Sequence, residues 1–345
     1  VQKDAIVQAC NEIIDGKFHD QFIVDPIQGG AGTSTNMNAN EVIANRALEI
    51  LGHPKSSYNI IHPNNHINMS QSTNDVYPTA IKLTLHELIY KLKDALRFLR
   101  DCFEEKAIEF KDVLKMGRTQ LQDAVPMTLG QEFKTFAVMI DDDIYRLRNA
   151  QALLKEVNLG ATAIGTGINT KASYQRKVIS NLREVTGVDY VSAGDLIEAT
   201  QDTGSFVHIS GMLKSVAIKV SKICNDLRLL SSGPRAGFNE INLPPLQPGS
   251  SIMPGKVNPV MPEVVNQVAF EVIGADMTIS MASEGGQLQL NVFEPLIAYK
   301  LFTSINMMRR AFYSLGEKCI KGITANEDVC MENILNSVTI VTCLN

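Results

Sequence analysis

The sequence is constrained most by the length of its segments without a helix breaker. Residues 79–116 contain neither proline nor glycine, and apolar side chains recur there at helical spacing. At a rise of about 1.5 Å per residue, the helix predicted for this segment is about 55 Å long. Its apolar face consists of Ile81, Leu85, Leu88, Leu92, Leu96, Leu99 and Phe103.

Four further segments show the same helical period. They predict helices over residues 128–157, 195–230, 262–283 and 288–320, the last two separated near Glu284. Because strands do not alternate with helices, the sequence does not indicate a doubly wound sheet. The predicted fold class is all-α, a bundle of long helices. Many apolar stripes are wider than one chain needs, which favours an oligomer.

Composition excludes several classes of function. The formal net charge of −5, with 20% charged residues mixed along the chain, does not indicate a nucleic-acid or membrane-surface protein. No apolar run reaches about 18 residues, so no transmembrane helix is predicted, and residues 1–10 lack a signal-peptide layout. The six cysteines are scattered without a CxxC pair, which indicates reduced thiols in a cytoplasmic protein.

Compact polar segments rich in Gly, Ser, Thr and Asn lie between the predicted helices. They span residues 28–36, 70–75, 117–122 and 247–259. Ordinary helix capping explains some of these residues. Four such clusters in one chain nevertheless indicate a shared polar site.

The segment from Gly249 to Pro259 carries the most specific pattern. Its Gly-Ser-Ser turn can direct successive backbone N–H groups at an anion. Lys256 adds a positive charge and Asn258 adds an amide donor. A loop with flanking glycines can close over a substrate and exclude water, although composition alone also fits a turn-rich connector.

Other candidate motifs are weaker. Residues 29–32 match neither phosphate-loop pattern, so we predict a close-packed polar turn that directs Thr33 at a ligand. His62 and His66 have the spacing of a metal pair, but Pro63 disfavours a helix between them and no third ligand is evident, so no metal site is predicted. No Ser/His/Asp triad can be proposed from spacing.

The first predicted helix separates two of the polar clusters. Residues 72–74 lie at its start and residues 119–120 lie just past its end. If the helix is straight, these clusters are about 60 Å apart within one chain. Either they are unrelated, or one site is built from different subunits.

At these segments the sequence resembles the aspartase/fumarase superfamily, and the resemblance runs through nearly the whole chain. It implies a homotetramer with a central bundle of long helices and active sites that each take segments from three subunits. It also implies anti β-elimination of fumarate from a succinyl substrate, without a cofactor. The stretches that carry it are Gly29–Ser34, Ser70–Asp75, Gly117–Asp123, Ser232–Gly237 and Gly249–Pro259.

The resemblance also implies a role for each site residue. Ser250 corresponds to the catalytic base that removes the Cβ proton and leaves an aci-carboxylate, its ionised form being stabilised by loop N–H groups and Lys256. The match places Thr119, Lys256 and Asn258 at one substrate carboxylate, Ser72, Thr73 and Ser251 at the carboxylate that gains charge, and Thr33, Asn74 and Gln120 at the departing group.

Within the superfamily the sequence resembles the aspartate ammonia-lyases. Gln120 stands where fumarases typically have His, and residues 260–268 lack the fumarase Thr-Gln-Cys-Glu pattern. Residues 158–167 and 322–326 also resemble aspartate ammonia-lyase segments. The expected partners are therefore L-aspartate, fumarate and ammonia, with no general acid assigned. A class II-type fumarate hydratase and a truncated non-catalytic member are the alternatives.

The resemblance divides the chain into three parts. Residues 1–73 correspond to the remainder of an N-terminal domain with substrate-binding loops. Residues 74–328 correspond to the long-helix bundle with the catalytic loop 247–259, and residues 329–345 to the start of a truncated C-terminal helical domain. Full-length members carry more sequence at both ends, so we expect this chain to be part of a longer protein.

Overall fold

The computed structural model describes residues 1–250, 252–339 and 342. Helices make up most of these residues, which confirms the predicted all-α fold class. None of the helices in these ranges is long and apolar enough to cross a membrane. The α-helices are α1 Gln2–Ile14, α2 Thr33–Ile50, α3 Thr73–Glu109, α4 Leu129–Ala152, α5 Ala172–Thr186, α6 Leu196–Gln201, α7 Gly204–Leu230, α8 Val260–Glu284, α9 Glu294–Lys318 and α10 Glu327–Leu335.

The strands of the described chain are short and pair two by two. The pairs are β1 Leu114–Thr119 with β2 Gln122–Thr128, β3 Glu156–Val157 with β4 Val191–Ser192, and β5 Ile241–Asn242 with β6 Thr324–Ala325. The first and third pairs are antiparallel and the second is parallel. None of these strands was predicted.

The longest helix, α3, has 37 residues and is about 55 Å long. Its length matches the prediction, but it begins at Thr73 rather than at residue 79 and ends at Glu109. The earlier start places Pro78 inside the helix. Because proline has no N–H, the Asn74 carbonyl has no donor within the helix. That carbonyl accepts a hydrogen bond from Asn158 Nδ2 at 3.0 Å instead.

The other predicted helices are present with shifted limits. The segment 195–230 forms two helices, α6 and α7, because the chain is extended at Asp202 and its carboxylate accepts the Gly204 N–H at 3.0 Å. The last predicted helix begins at Glu294 instead of residue 288, since Leu288 has a φ of 57° and lies in a turn.

The chain forms two compact units. The first comprises Val1–His86, Gln151–His208 and Met277–Phe302, and the second comprises Glu87–Ala150, Ile209–Asp276 and Thr303–Asn345. Each has its own buried apolar side chains. In the first, α1, α2 and Ile61 form a buried cluster that consists of Ala5, Ala9, Ala44, Ala47, Leu48 and Ile61. In the second, Phe103 of α3 and Phe110, which follows it, pack against the rings of Phe133 and Phe136 on α4. The predicted domain limits at 73/74 and 328/329 stay predictions.

The first unit buries a carboxylic acid at the start of α9. Glu294 is 3% exposed. Burial raises the pKa of Glu294 to about 8, and the positive charge of Lys82 only partly opposes this effect. Burial, together with the charge of Glu294, raises the pKa of Tyr77 to about 12. Glu294 is therefore largely protonated at neutral pH.

Replacing Glu294 with Gln should remove a pH dependence of stability. A carboxyl whose pKa rises from 4.5 to about 8 on folding stabilises the fold fully below about pH 4.5 and loses that contribution as the pH rises through 8. We expect the melting temperature of the unmodified protein to fall more steeply between pH 6 and pH 9 than that of Glu294→Gln. Glu284→Gln, an exposed change at the end of α8, is the control. Parallel pH profiles for all three proteins would contradict the burial argument.

Candidate active site

The predicted site residues belong to both compact units. Ser251 lies outside the described residues. Thr33, Ser72, Thr73 and Asn74 belong to the first unit, and Thr119, Gln120, Ser250, Lys256 and Asn258 belong to the second.

In the first unit, the glycine turn before α2 is close-packed as predicted. Gly32 has a φ of 94°, and a Cβ there would lie 2.6 Å from the ring of Tyr77, so only glycine fits. Thr33 is the exposed first residue of α2. Its hydroxyl donates to the Gly30 carbonyl at 2.7 Å, which leaves the oxygen lone pairs directed away from the turn.

The start of α3 is a capping box. The Ser72 hydroxyl accepts the Asn74 N–H at 3.2 Å, and Asp75 Oδ1 accepts the Ser72 N–H at 2.9 Å. The other oxygen of Asp75 accepts the N–H groups of Gly160 and Thr162, each at 3.0 Å. Burial raises the pKa of Asp75, although these hydrogen bonds lower it. Asp75 thus ties the segment that carries Ser72, Thr73 and Asn74 to a second turn.

That second turn lies within the segment 158–167. Gly165 has a φ of 96°, and a Cβ there would lie 2.3 Å from Ile197 Cα, so the turn packs directly on the backbone of α6. Asn74 Nδ2 donates to the Ala163 carbonyl at 2.8 Å. One N–H of the Asn74 amide is therefore used by this carbonyl, and the amide oxygen remains as an acceptor.

Three asparagines that the sequence analysis did not single out also reach the candidate site. Asn36, on α2, donates to Thr73 Oγ1 at 2.9 Å and to Asn68 Oδ1 at 3.2 Å. Asn40 donates to the same Asn68 oxygen at 3.2 Å. The sequence signal for two of them was the four-residue spacing of Asn36 and Asn40, which places both side chains on one face of α2.

The histidine pair of the first unit has a structural role in this fold. Residues Pro63–Ile67 form a π-helical turn, whereas the sequence disfavoured any helix there. Proline is accepted because it occupies the first position, where no N–H is needed. His62 Nδ1 accepts the N–H groups of Asn64 and Asn65, and His66 Nδ1 accepts the His62 N–H at 2.8 Å. Within the described ranges, no group of three His, Cys, Asp or Glu side chains is arranged to hold a metal ion.

In the second unit, Thr119 and Gln120 lie at the tip of the β1–β2 hairpin. Thr119 pairs with Gln122, so Gln120 and Leu121 form a two-residue turn with φ values of 54° and 62°. Such a turn matches the strand twist but normally uses Asn or Gly. Both predicted site residues are exposed in the chain. Neither turn residue signalled this hairpin in the sequence.

A buried charge cluster holds the base of this hairpin. Glu240 is fully buried and pairs with Arg118 at 2.6 Å and Lys115 at 3.0 Å, both on β1. Lys115 also pairs with Glu132 at 2.5 Å, and the Arg118 guanidinium lies 4.3 Å from the centre of the Phe238 ring. Removing one partner would leave a buried charge uncompensated, so the cluster fixes the strand from which Thr119 extends.

The glycine-flanked loop is closed at its base. A Cβ on Gly249 would lie 2.0 Å from the Lys256 carbonyl oxygen, so only glycine allows the two ends to meet. Ser250 Oγ accepts the Ile252 N–H at 3.3 Å. Ile252 is 82% exposed, and the Lys256 side chain is also exposed. A pocket of about 210 Å³ adjoins the loop and is lined by Ser231, Gly233, Pro234, Asn239, Ile241, Asn242, Leu243, Pro245, Gly255, Val257, Asn258 and Pro259.

Comparison with known proteins places the chain in a family. The lyase family matches residues 1–274. Aspartate ammonia-lyase of Helicobacter pylori is 62% identical over 343 residues, covering 99% of this chain and 73% of that protein. The fumarate lyase:delta crystallin from Brucella melitensis bound to cobalt is 56% identical with a TM-score of 0.98, over 99% of this chain and 75% of the other. The class II fumarase from Schistosoma mansoni is 35% identical with a TM-score of 0.95, over 99% and 75%. The chain belongs to the lyase family, which confirms its resemblance to the aspartase/fumarase superfamily.

Replacing Asp75 with Ala should destabilise the protein strongly. The change leaves the N–H groups of Ser72, Gly160 and Thr162 without their acceptor, and each buried group left unpaired costs about 1–3 kcal/mol. We expect the free energy of unfolding in urea to fall by about 3 kcal/mol or more. Asp195→Ala is the matched control, because this exposed cap also accepts two N–H groups yet should cost only about 1 kcal/mol. Equal losses would refute the buried anchor.

Proposed function

We infer that this protein is an aspartate ammonia-lyase, which eliminates ammonia from L-aspartate to give fumarate. The observation that carries the proposal is 62% identity, across 99% of the chain, to a protein of that name. Identity to the class II fumarase is 35% across the same share. Gln120, at the hairpin tip, supports the same choice because fumarases typically have His at this position.

In the proposed reaction Ser250 is the base. Its ionised hydroxyl removes a proton from Cβ, and the electron pair of the C–H bond moves into the adjacent carboxylate to form the aci-carboxylate. Collapse of this intermediate forms the double bond and expels the nitrogen with the electrons of the C–N bond. The Ile252 N–H, 3.3 Å from Ser250 Oγ, is a donor that stabilises an ionised serine. Lys256, in the same loop, supplies positive charge.

The two carboxylates of the substrate require separate sets of donors. We assign Thr119, Lys256 and Asn258 to the carboxylate that does not react. Ser72, Thr73 and Ser251 surround the carboxylate that gains charge. Hydrogen-bond donors fixed in advance around that group favour the intermediate over the substrate, because their interaction strengthens as charge develops.

The departing amine requires acceptors rather than donors, since an ammonium group offers only N–H. Thr33 and Asn74 are suited to this role. The Thr33 hydroxyl donates its proton to the Gly30 carbonyl, and the Asn74 amide donates one N–H to the Ala163 carbonyl. Both side chains therefore have oxygen lone pairs to offer to the nitrogen. Gln120 is the third member of this group, and no general acid is assigned.

We propose that the active protein is a homotetramer in the cytoplasm, with each site shared between subunits. The described chain leaves apolar side chains exposed at helical spacing along α8, where Phe270 is 62%, Met277 65% and Met281 67% exposed. Such a stripe needs a partner to cover it, and a second copy of the chain is the proposed partner. The length of α3 gives a separate reason, because its two ends are too far apart to hold one small substrate.

Incubation with L-aspartate and, separately, with L-malate tests the function directly. We expect the ultraviolet absorbance of fumarate to rise with L-aspartate, together with an equal amount of released ammonia. No fumarate should form from L-malate. Fumarate from L-malate alone would replace the proposal with a fumarate hydratase.

Replacing Ser250 with Ala should abolish turnover and leave the oligomer intact. The removal of a catalytic base typically lowers the rate about 10²- to 10⁴-fold, and Ser250 lies in an exposed loop whose truncation should not disturb packing. Sedimentation velocity should show a tetramer for both proteins. An unchanged rate would exclude Ser250 as the base.

Subunit mixing tests the shared site with the same variant. Thr73→Val chains, which lack one hydroxyl donor of the first unit, should alone have an activity that is lowered about 10²- to 10³-fold but still measurable. Tetramers formed by mixing Ser250→Ala with Thr73→Val chains should regain activity, since some sites then receive both intact residues. Continued inactivity of verified mixed tetramers would mean that Ser250 and Thr73 of one site come from the same subunit.

A further inference from the structure

The orientation of the Asn36 amide is fixed by a chain of hydrogen bonds that begins at a backbone carbonyl. Asn68 Nδ2 donates to the Gln71 carbonyl at 3.3 Å, and a carbonyl can only accept. Asn68 Oδ1 therefore faces the other way, where it accepts from Asn36 Nδ2 and Asn40 Nδ2, both at 3.2 Å. A flipped Asn36 amide would direct oxygen at oxygen.

The same amide nitrogen determines what the Thr73 hydroxyl can do. Asn36 Nδ2 lies 2.9 Å from Thr73 Oγ1 and must be the donor, so the hydroxyl oxygen accepts. Within the described chain, Asn36 is the one residue that forms a hydrogen bond with this hydroxyl. Thr73 is 9% exposed and lies at the first residue of α3. Its own proton is therefore available to a ligand, and the hydroxyl is disfavoured as an acceptor from that ligand.

We propose that Asn36 is a positioning residue that orients the Thr73 hydroxyl as a donor to the carboxylate that gains charge. This inference rests on the proposed function. An unconstrained hydroxyl rotates, and in water it accepts as readily as it donates. By occupying one lone pair, Asn36 turns the hydroxyl proton away from itself before the substrate arrives, so little reorganisation is needed when charge develops. Asn40 and Asn68 support it by holding the Asn36 amide.

Asn36→Asp tests the proposal because the two side chains have nearly the same shape. A carboxylate only accepts, so the Thr73 hydroxyl would turn its proton toward the introduced carboxylate and present a lone pair to the substrate. Loss of one donor to a developing negative charge costs about 10²- to 10³-fold in kcat, and we expect a fall in kcat of about 10²-fold with a smaller change in KM. Asn45→Asp, on the same helix α2, is the control. Its oxygen keeps the acceptor role toward the Ser56 N–H, and its activity should be unchanged.

A double-mutant cycle with Thr73→Val separates positioning from simple charge repulsion. Repulsion by the introduced carboxylate would weaken catalysis or binding equally whether or not residue 73 has a hydroxyl. If Asn36 acts through Thr73, Asn36→Asp should cost less than about twofold in the Thr73→Val background. Asn36→Leu, which removes the donor without adding charge, should cost less than Asn36→Asp and should also lose its effect in that background. Equal costs in both backgrounds would overturn the proposal.

Binding of succinate, measured by calorimetry, keeps this test distinct from the test of the proposed function. Succinate is a four-carbon dicarboxylate that cannot eliminate ammonia. We expect Asn36→Asp to weaken its binding about tenfold in the otherwise unmodified protein, and much less with Val at position 73. If the unmodified protein binds succinate with this pattern but does not convert L-aspartate, the proposed function fails and the positioning role stands. If it converts L-aspartate and the pattern is absent, the positioning role fails alone.

Discussion

A helix that begins in a protein interior must satisfy its first N–H groups without water, and α3 meets this requirement with a buried carboxylate. Asp75 accepts the Ser72 N–H with one oxygen and two N–H groups of the turn 160–162 with the other. Asn158 meets a second requirement by donating to the Asn74 carbonyl, which Pro78 leaves without its helical partner. Asp75 thus connects the start of α3 to a turn that is distant in the sequence. Ser72, Thr73 and Asn74 inherit their positions from this connection.

Other hydrogen bonds of the first unit give direction to the polar groups of its part of the candidate site. Each hydroxyl or amide has both donor and acceptor capacity, and a ligand meets whichever part the protein has not already used. The Gly30 carbonyl accepts the Thr33 proton, and the Ala163 carbonyl accepts one N–H of the Asn74 amide; the oxygens of both side chains still offer lone pairs. Asn36 uses a Thr73 lone pair, so Thr73 offers a proton. Acceptors for an amine and a donor for a carboxylate follow from contacts that involve no ligand.

The long helices could be predicted from the sequence because apolar period is a local property. It located α3, α4, α7, α8 and α9, although not their ends. The β1–β2 hairpin could not be found this way, because Gln120 and Leu121 adopt positive φ without the Asn or Gly that usually marks such a turn. This hairpin is held by Glu240, a buried residue more than a hundred positions away that pairs with Arg118 and Lys115. Local sequence propensities do not reflect such a long-range ion pair.

The candidate site divides in the same way. Serine, threonine and lysine in glycine-rich segments are visible as motifs, and the resemblance to a known superfamily gave them roles. The part played by Asn36 was not visible, because its contact with Thr73 spans 37 positions of the chain. Asn36 looked like a helix residue with a poor propensity. Only the folded structure shows that its side chain donates a hydrogen bond to a residue of α3.

Exposure is a further constraint on how these groups could act together. Thr119, Gln120, Lys256 and Asn258 are exposed in the chain, and in water the attraction between unit charges 4 Å apart is only about 1 kcal/mol. Strong electrostatic interaction of these groups with a charged substrate needs a site from which water is excluded. The apolar stripe on α8 needs cover for a different reason, since exposed Phe270, Met277 and Met281 are unfavourable in water. Assembly of several copies would meet both needs at once, so under the proposed function catalysis and association depend on the same surfaces.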